Sequence, residues 1–363
     1  MQINSNPTSV ESHRGSILTG FLDAHVHLCL IDPTPMLANG IARVLDLGGP
    51  LAVVGATIGA DIPDVAYAGQ FLAAPGGYPT DRPWAAPGSV RQVNSGDDAA
   101  AAVDTQADAG ATVIKVTLNS DAGPVFSDTV LGAVLDAAHA RGLPVVAHAE
   151  GPGQAERAFA AGVDALAHTP FSQNLDHELV AAMASRMTWI STLDIHRGTA
   201  QFESAQHNLR RFHAANGRVL YGTDLGNGPL PVGLNAHELE AMRGAGMTGR
   251  EVLRALTAPG VTMAADPISR MPRPVSRVDV ALPAGRVTFI PGEPPALDEP
   301  PDPPAASPIA GAGAGNPGGS CSPATRSPAS RSPFTRWLCS ARAVTGAELA
   351  VIAQTTELTE LVP

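Results

Sequence analysis

The chain has 363 residues, of which 44% are hydrophobic and 4% aromatic, which is enough for one large core of roughly 250 residues with segments left over. The formal net charge of −11 argues against a nucleic-acid partner, because proteins that bind phosphate backbones usually carry a basic face. The sequence has neither an apolar run near the ~20 residues that span a bilayer nor a secretory signal, so we expect a cytoplasmic protein without a membrane partner.

Short β-branched segments alternate with Ala-rich helical segments between about residues 20 and 258, which is typical of repeated βα units and a parallel sheet. The predicted strands cover residues 20–24, 42–47, 65–72, 112–118, 144–147, 165–167, 188–193 and 219–222. Residues 97–109 and 128–141 have the polar starts and glycine stops of helices that pack outside such a sheet. The sequence therefore predicts an α/β fold, namely a (β/α)8 TIM barrel.

The segments outside the barrel are predicted from their composition. Residues 1–16 are polar and unpatterned and are predicted to be an N-terminal tail ahead of the barrel domain, residues 17–262. Residues 263–290 are expected to hold one β-hairpin, a reduced β-strand appendage. Residues 291–333 contain 12 prolines in 43 positions and bury too little apolar surface to offset their ordering entropy, so a disordered linker is expected there. Residues 334–363 are expected to be a C-terminal tail with a short helix.

The first predicted strand ends in two histidines, His25 and His27. Side chains two positions apart in a strand point to the same side, so both imidazoles can reach one metal ion. Further candidate ligands lie at or near the carboxyl ends of later predicted strands, and these are Lys115, His148, His168 and Asp224. Because barrel active sites are built at this end of the strands, we expect the six side chains to converge.

Lys115 is the only lysine among 23 basic residues, and it lies within the apolar segment TVIKVTL. A charge is costly at such a position, whereas a lysine amine becomes nucleophilic when burial lowers its pKa. The sequence therefore indicates a chemical role for Lys115.

The order His-x-His, Lys, His, His, Asp on these strands resembles the metal site of the binuclear amidohydrolase superfamily. The segments GFLDAHVHL, GATVIKV, RGLPVVAHAEG, AGVDALAHTP and YGTDLG are similar to its imidazolonepropionase-like and Xaa-Pro-dipeptidase-like branches, over roughly residues 18–262. The chain departs from the family pattern at both ends. The strands that usually precede the His-x-His are expected to be missing, and the trailing part is expected to be short.

This resemblance implies a hydrolase with two divalent metal ions, zinc first, with manganese, iron or cobalt as alternatives. The metal ligands it implies are His25, His27, Lys115, His148, His168 and Asp224. One ion would lie at the His-x-His and Asp224, and the other at His148 and His168. Lys115 would bridge the two ions as a carbamate formed with carbon dioxide or bicarbonate. A metal-bridging hydroxide would attack an amide, cyclic amide or dipeptide-like carbonyl, with Asp224 as proton shuttle.

Three other functions would use a similar set of residues. A mononuclear deaminase of the same superfamily is disfavoured, because it would carry a glutamate where this chain has Gly151 and would lack a bridging lysine. A lactone or phosphotriester hydrolase stays open, since the same metal pair activates water against any polarised centre. A truncated barrel that binds metal without turnover also stays open, and the missing flanking strands favour it.

Substrate contacts are predicted at two positions. His196 follows the seventh strand, and Tyr78 belongs to a Gly/Pro-rich segment after the third strand that is long enough to cover the site. Glu150 is expected to belong to a loop hydrogen-bond network. The expected partner is a small-molecule substrate, and a homo-oligomer is compatible with the sequence.

Overall fold

The computed structural model describes residues 13–52, 61–258, 273–274, 286–301, 331–354 and 356–361. Within these ranges the chain is an α/β protein with parallel sheets, as the sequence predicts. None of the helices in the described part of the chain is long and apolar enough to cross a membrane.

The strands follow the predicted order through the central part of the chain, with further strands before and after it. In chain order they are β1 (His13–Thr19), β2 (Phe21–Val26), β3 (Ile41–Asp46), β4 (Asp64–Tyr67), β5 (Phe71–Ala73), β6 (Val90–Gln92), β7 (Ile114–Asn119), β8 (Val145–Glu150), β9 (Ala165–Leu166), β10 (Thr188–Ile190), β11 (Arg218–Leu220), β12 (Arg273–Pro274), β13 (Val287–Pro291), β14 (Arg342–Val344) and β15 (Thr356–Glu360).

Among the described elements, one α-helix lies between each pair of consecutive strands from β6 to β11, as repeated βα units require. The described α-helices are α1 (Gly96–Asp108), α2 (Asp128–Ala140), α3 (Gln154–Ala161), α4 (His177–Ala184), α5 (Ala200–Ala214), α6 (Ala236–Gly244), α7 (Gly249–Thr257), α8 (Pro333–Leu338) and α9 (Gly346–Ile352). The first two match their predicted ranges closely because their caps are encoded locally. Ser95 and Ser127 accept hydrogen bonds from backbone N–H groups of the first turn, and Gly142 follows α2 with a φ of 70°.

Two parallel sheets hold the central strands. One has the order β2-β3-β4, and the other the order β11-β10-β9-β8-β7-β5-β6. Backbone hydrogen bonds link the two sheets at two places: Thr112 N donates to Tyr67 O (2.9 Å), and Ala24 N donates to Tyr221 O (2.9 Å). The first and last central strands are therefore neighbours in space.

The third predicted strand, residues 65–72, is interrupted in the structure. β4 ends at Tyr67 and β5 begins at Phe71, and Gly69 between them has a φ of 77°. A left-handed backbone does not continue a strand, and glycine adopts it without steric cost. The apolar pattern runs through the break, so hydropathy alone did not reveal it.

Apolar side chains fix the strands against the helices. The main core lies between the parallel strands and the helices, where the Trp189 ring stacks on Phe212 with 3.8 Å between centroids. A smaller cluster contains strand residues that include Leu22, Leu45 and Val146. The strand ends that carry the candidate site thus stand on a packed scaffold.

Residues 13–16 belong to a strand rather than to the predicted N-terminal tail, and the expected absence of leading strands was wrong. Residues 1–12 of the predicted tail lie outside the described residues. β1 begins at His13, pairs antiparallel with β13 and parallel with β15, and lies inside a five-stranded sheet in the order β12-β15-β1-β13-β14. Ile17 and Leu18 are both buried, in different hydrophobic clusters. A strand buried on both faces lacks the alternation by which strands are recognised, and its partners lie at the other end of the chain.

The C-terminal segment is also more ordered than expected. A short helix was predicted in residues 345–362 and is present as α9, but the residues after it form β15 rather than more helix or a tail. In β15 Thr356 and Leu358 are buried while Glu357 is exposed, which is the alternation of a strand with one covered face. The predicted hairpin turn at residues 283–285 and most of the predicted linker, residues 302–330, lie outside the described residues.

Candidate metal centre

His25 and His27 stand at the carboxyl end of β2 and are oriented by backbone carbonyls. His25 Nδ1 donates to Ala167 O (2.8 Å), and His27 Nδ1 donates to Gly48 O (2.9 Å). A carbonyl can only accept, so each Nδ1 carries the proton and a neutral ring keeps its lone pair on Nε2. Metal-binding histidines are usually held in this way.

Asp224 faces both of these rings. Its Oδ1 lies 3.1 Å from His25 Nε2 and 3.1 Å from His27 Nε2. The candidate ligand atoms of the three residues lie within 4.8 Å of one another, and all three side chains are buried. Three acceptor atoms that face one another are stabilised by a shared cation, so this group is suited to a metal ion.

The charge state of Asp224 suits a ligand and a base. Burial by itself would raise the pKa of its carboxyl, but the His25, His27 and His168 rings hold the pKa well below its usual range. Its φ of 58° lies in the left-handed region, which is uncommon for residues other than glycine, although aspartate tolerates it better than most. Asn227 Nδ2 donates to Asp224 Oδ2 (2.8 Å) and thereby holds the second oxygen.

Lys115 lies on β7 with 1% of its surface exposed, and its Nζ has no hydrogen-bond partner among the described residues. Burial lowers the pKa of its amine to about 7, against the opposing effect of Asp224 and Asp46. Lys115 therefore has a buried amine that can be neutral near physiological pH. Such an orphaned amine costs free energy unless something else binds it.

His148 and His168 continue the row of imidazoles. The His168 ring lies 4.8 Å from the His25 ring and 4.9 Å from the His148 ring, between centroids. His168 Nδ1 is hydrogen-bonded to Thr192 Oγ1 (2.9 Å), and Thr192 has a φ of 40°, which is rare for a β-branched residue. Two non-glycine residues with a positive φ therefore lie at this site.

Glu150 was expected in a loop, but it is the last residue of β8. Its Oε2 lies 3.0 Å from His148 Nε2 and accepts a hydrogen bond from Asn119 Nδ2 (2.6 Å). β8 continues two residues beyond His148, so both side chains emerge on one side of the strand. The hydrogen bond to His148 is the largest cause of the lowered pKa of Glu150.

All six predicted ligands line one cavity of about 110 Å³. The other lining residues fall into two groups. One group is apolar or aromatic and consists of Leu30, Phe71, Tyr78 and Trp84. The other is the glycine-rich segment Gly226, Asn227 and Gly228. The Tyr78 ring stacks on the His148 ring at 5.0 Å, and Trp84 lies 6.1 Å from Tyr78. The loop that contains Tyr78 thus reaches the predicted ligands.

His196 is not among the residues that line this cavity. Its ring packs on Phe171 with 4.0 Å between centroids, and burial lowers its pKa to about 4. Phe171 in turn lies 6.1 Å from His168. Of the two predicted substrate contacts, the structure brings Tyr78 to the cavity and leaves His196 behind Phe171.

Two buried carboxylates that the sequence analysis did not single out, Asp23 and Asp46, lie beside the predicted ligands. Both are fully buried, and each accepts backbone hydrogen bonds next to a predicted ligand. A signal was present for both: Asp23 lies two residues before His25 in the same strand, and Asp46 ends β3 at the edge where the histidines stand. An acid at such a strand end seldom packs there without a partner.

No protein-family profile matches the chain. An uncharacterized protein of Mycobacterium tuberculosis is 28% identical over 278 residues, which cover 66% of this chain and 72% of that protein. The crystal structure of A. niger ochratoxinase is 22% identical with a TM-score of 0.56, covering 67% of this chain and 70% of its own. A Xaa-Pro dipeptidase with methionine in its active site is 19% identical with a TM-score of 0.57, covering 81% and 86%. At these identities the likeness establishes the fold: the chain is folded like the amidohydrolase and Xaa-Pro dipeptidase structures.

Proposed function

We propose that this chain is a metal-dependent hydrolase that cleaves the C–N bond of amide, cyclic amide or dipeptide-like substrates. The observation that carries the proposal is the meeting of three histidine-bearing strand ends, Lys115 and Asp224 in one cavity. The fold shared with an amidohydrolase and a Xaa-Pro dipeptidase supports the same class of reaction. We also infer that the two parallel sheets close into a (β/α)8 barrel, which the backbone bonds between β2 and the residues after β11 support.

The donor set fits divalent metal ions. His25, His27 and Asp224 would hold one ion, since their buried acceptor atoms already face one another. His148 and His168 would contribute to a second ion beside it, with His148 Nε2 leaving Glu150 to do so. Imidazole and carboxylate ligands suit zinc, and they also accept manganese, iron or cobalt.

Lys115 would join the two ions. Its buried amine can add to carbon dioxide, forming an N–C bond and releasing one proton, and the carbamate so formed has two oxygens to offer in place of one nitrogen. The absence of a described partner for Nζ supports this role. The lowered pKa supports it as well, because a neutral amine is the form that reacts.

When bound, the ions would acidify a water molecule and polarise the scissile carbonyl. Asp224 is ionised and buried, so it is suited to accept the proton of the attacking water. The same carboxyl would pass that proton to the leaving nitrogen as the C–N bond breaks. Asn227 keeps Asp224 in one orientation through this exchange.

The cavity walls suggest the kind of substrate. Phe71, Tyr78 and Trp84 would contact a flat or apolar group on one side of the scissile bond. Trp84 is 38% exposed and lines the cavity, so part of its ring is free to contact a bound group from the loop side. We therefore propose small amides with an apolar or aromatic substituent.

The alternative of a truncated, inactive barrel loses its main support. It rested on missing flanking strands, whereas β1 and β13 pair in a five-stranded sheet. The lactone and phosphotriester alternatives share the same donor set and are separated only by substrate.

The test combines metal analysis with a substrate panel. Purified protein is expected to bind two zinc or manganese ions per chain, measured by inductively coupled plasma mass spectrometry, and to hydrolyse aryl amides, N-acyl amino acids or Xaa-Pro dipeptides in preference to lactones and phosphotriesters. His25→Ala should lose metal and activity. The matched control His177→Ala, which changes an exposed histidine of α4, should lose neither. Protein that binds metal stoichiometrically but prefers a lactone or phosphotriester would overturn the C–N assignment.

A further inference from the structure

We propose that two buried carboxylates, Asp23 and Asp46, are positioning residues of the metal site. The inference rests on the proposed function, since it concerns how the metal ligands are held. Neither carboxylate would touch the ion or the substrate. Each would act through the backbone on which the ligands stand.

Asp23 connects the two chain segments that bring His25 and Asp224 together. Its Oδ1 accepts hydrogen bonds from His25 N (3.1 Å) and Thr223 N (3.0 Å), and its Oδ2 accepts one from Thr223 Oγ1 (2.6 Å). His25 and Thr223 are 198 positions apart in the chain. One carboxylate therefore links the end of β2 to the turn after β11.

Asp46 holds His27 from the other side. Its Oδ2 accepts a hydrogen bond from Leu28 N (2.7 Å), directly after the histidine, and its Oδ1 accepts one from Gly48 N (2.9 Å). Gly48 O is the acceptor for His27 Nδ1. Asp46 thus holds the backbone directly after His27. Through Gly48 it also holds the carbonyl that orients the His27 ring.

Among the described residues, no other acceptor is given for the backbone N–H groups that Asp23 and Asp46 hold. Both carboxylates have no exposed surface, so bulk water cannot replace the bonds they make to His25, Leu28 and Gly48 N–H groups. A ligand shifted by a fraction of an ångström binds a metal ion less well, and groups that orient ligands typically change metal affinity roughly 10- to 100-fold.

The test measures metal affinity directly, by competition with a chromophoric chelator, and records the visible spectrum of the cobalt-loaded protein. Asp23→Asn and Asp46→Asn are expected to weaken zinc and cobalt binding roughly 10- to 100-fold and to alter the cobalt spectrum. The matched control is Asp164→Asn, because Asp164 also accepts a backbone hydrogen bond, from Val145 N (2.7 Å), but precedes β9 at the opposite end of the strands. That variant should keep wild-type affinity and spectrum.

If Asp23→Asn fails to fold, a second pair of variants tests whether Asp23 positions the metal ligands. Thr223→Val removes only the hydroxyl that Asp23 accepts from, and should weaken binding, whereas Thr223→Ser keeps the hydroxyl and should restore it. Unchanged metal affinity in Asp23→Asn and Asp46→Asn, or in Thr223→Val, would overturn the inference. Wild-type protein that binds neither zinc nor cobalt would overturn the proposed function instead, and with it the inference.

Discussion

At the scale of single residues, Lys115 gives the most direct test of the proposed metal centre. Its amine is buried on β7, faces the same cavity as five other candidate ligands and has no hydrogen-bond partner among the described residues. An arginine there would keep a positive charge but could not react with carbon dioxide, because its guanidinium stays protonated.

Lys115→Arg is therefore expected to lose binuclear metal binding and activity. Lys115→Ala leaves space beside the histidines, so added acetate or propionate should supply the bridging oxygens and restore part of the activity. The measurement is metal content and turnover with and without 100 mM-scale carboxylate, roughly the excess needed to occupy a weak site. An active Lys115→Arg enzyme with two bound ions would falsify the carbamate mechanism.

Glu238 is a second residue whose chemistry can be tested. It lies on α6 with no exposed surface, its Oε2 accepts a hydrogen bond from Asp194 N (2.7 Å), and burial raises the pKa of its carboxyl to about 7. Between the ordinary pKa of 4.5 and about 7 the folded protein binds more protons than the unfolded one. The contribution of Glu238 to stability is therefore full below pH 4.5 and is lost as the pH rises to about 7.

Glu238→Gln is expected to remove this dependence. At pH 4 the variant and the wild type should have similar free energies of unfolding, because Glu238 is then protonated in both the folded and the unfolded protein. At pH 8 the variant should be more stable by about 1 to 3 kcal/mol, since glutamine carries no buried charge and still offers an acceptor to Asp194. Urea unfolding of metal-free protein at the two pH values checks this. A difference that is the same at both would contradict the assignment.

At the scale of secondary structure, the central strands and their helices could be predicted, and the flanking sheet could not. Local signals such as the Ser95 and Ser127 caps and the strand-end histidines depend on neighbouring residues only. β1 and β15 depend on partners across the chain: Gly15 pairs with Pro291, and His13 with Thr356. Hydrophobic periodicity reports which side of a strand is covered, but it does not say which strand covers it.

The same difference between local and long-range signals explains why the structure brings the predicted ligands together but leaves His196 outside the cavity. His25, His27 and Asp224 could be predicted to meet, because each lies at or just after the carboxyl end of a strand and parallel strand ends share one edge. The position of His196 could not, since it depends on the way the Asp194–His196 turn packs against Phe171. That contact is made by two loops, and loops leave no periodic signal in the sequence.

The packing of α8 gives a prediction for this element. Leu338 has no exposed surface and belongs to the main core, whereas Val351 on α9 is 64% exposed. Leu338→Ala should lower the free energy of unfolding by roughly 2 to 5 kcal/mol, through lost burial and the cavity left behind. Val351→Ala, the matched control, should change it by no more than about 0.5 kcal/mol. Equal stability of the two variants in urea would mean that α8 does not dock on the core.

At the scale of the whole molecule, the C-terminal residues belong to the fold. Residues 331–361 supply α8, β14, α9 and β15, and they bury Phe334, Trp337, Val344 and Leu349 among others. Each large apolar side chain contributes about 1.5 to 3 kcal/mol when buried, against a typical total stability of about 5 to 15 kcal/mol. These residues therefore decide whether the chain is stable at all.

A chain ending at Ser330 is accordingly expected to give little soluble protein and no cooperative thermal transition. The matched control keeps residues 331–363 and replaces residues 302–330 by a Gly/Ser sequence of equal length. Because the replaced segment is rich in proline, glycine and alanine, its exchange should leave the melting temperature nearly unchanged. A shortened chain that melts like the wild type would show that the five-stranded sheet is dispensable.

The place of β1 between β13 and β15 also sets an order of events during synthesis. The ribosome adds about 5 to 20 residues per second, so β1 leaves the exit tunnel tens of seconds before either of its partners. Every strand of the two parallel sheets has been translated by Leu220, long before β15 is complete. The sheet that contains the first strand is thus the last to assemble on a nascent chain, and its unpaired edges are the surfaces that a chaperone would have to cover until then.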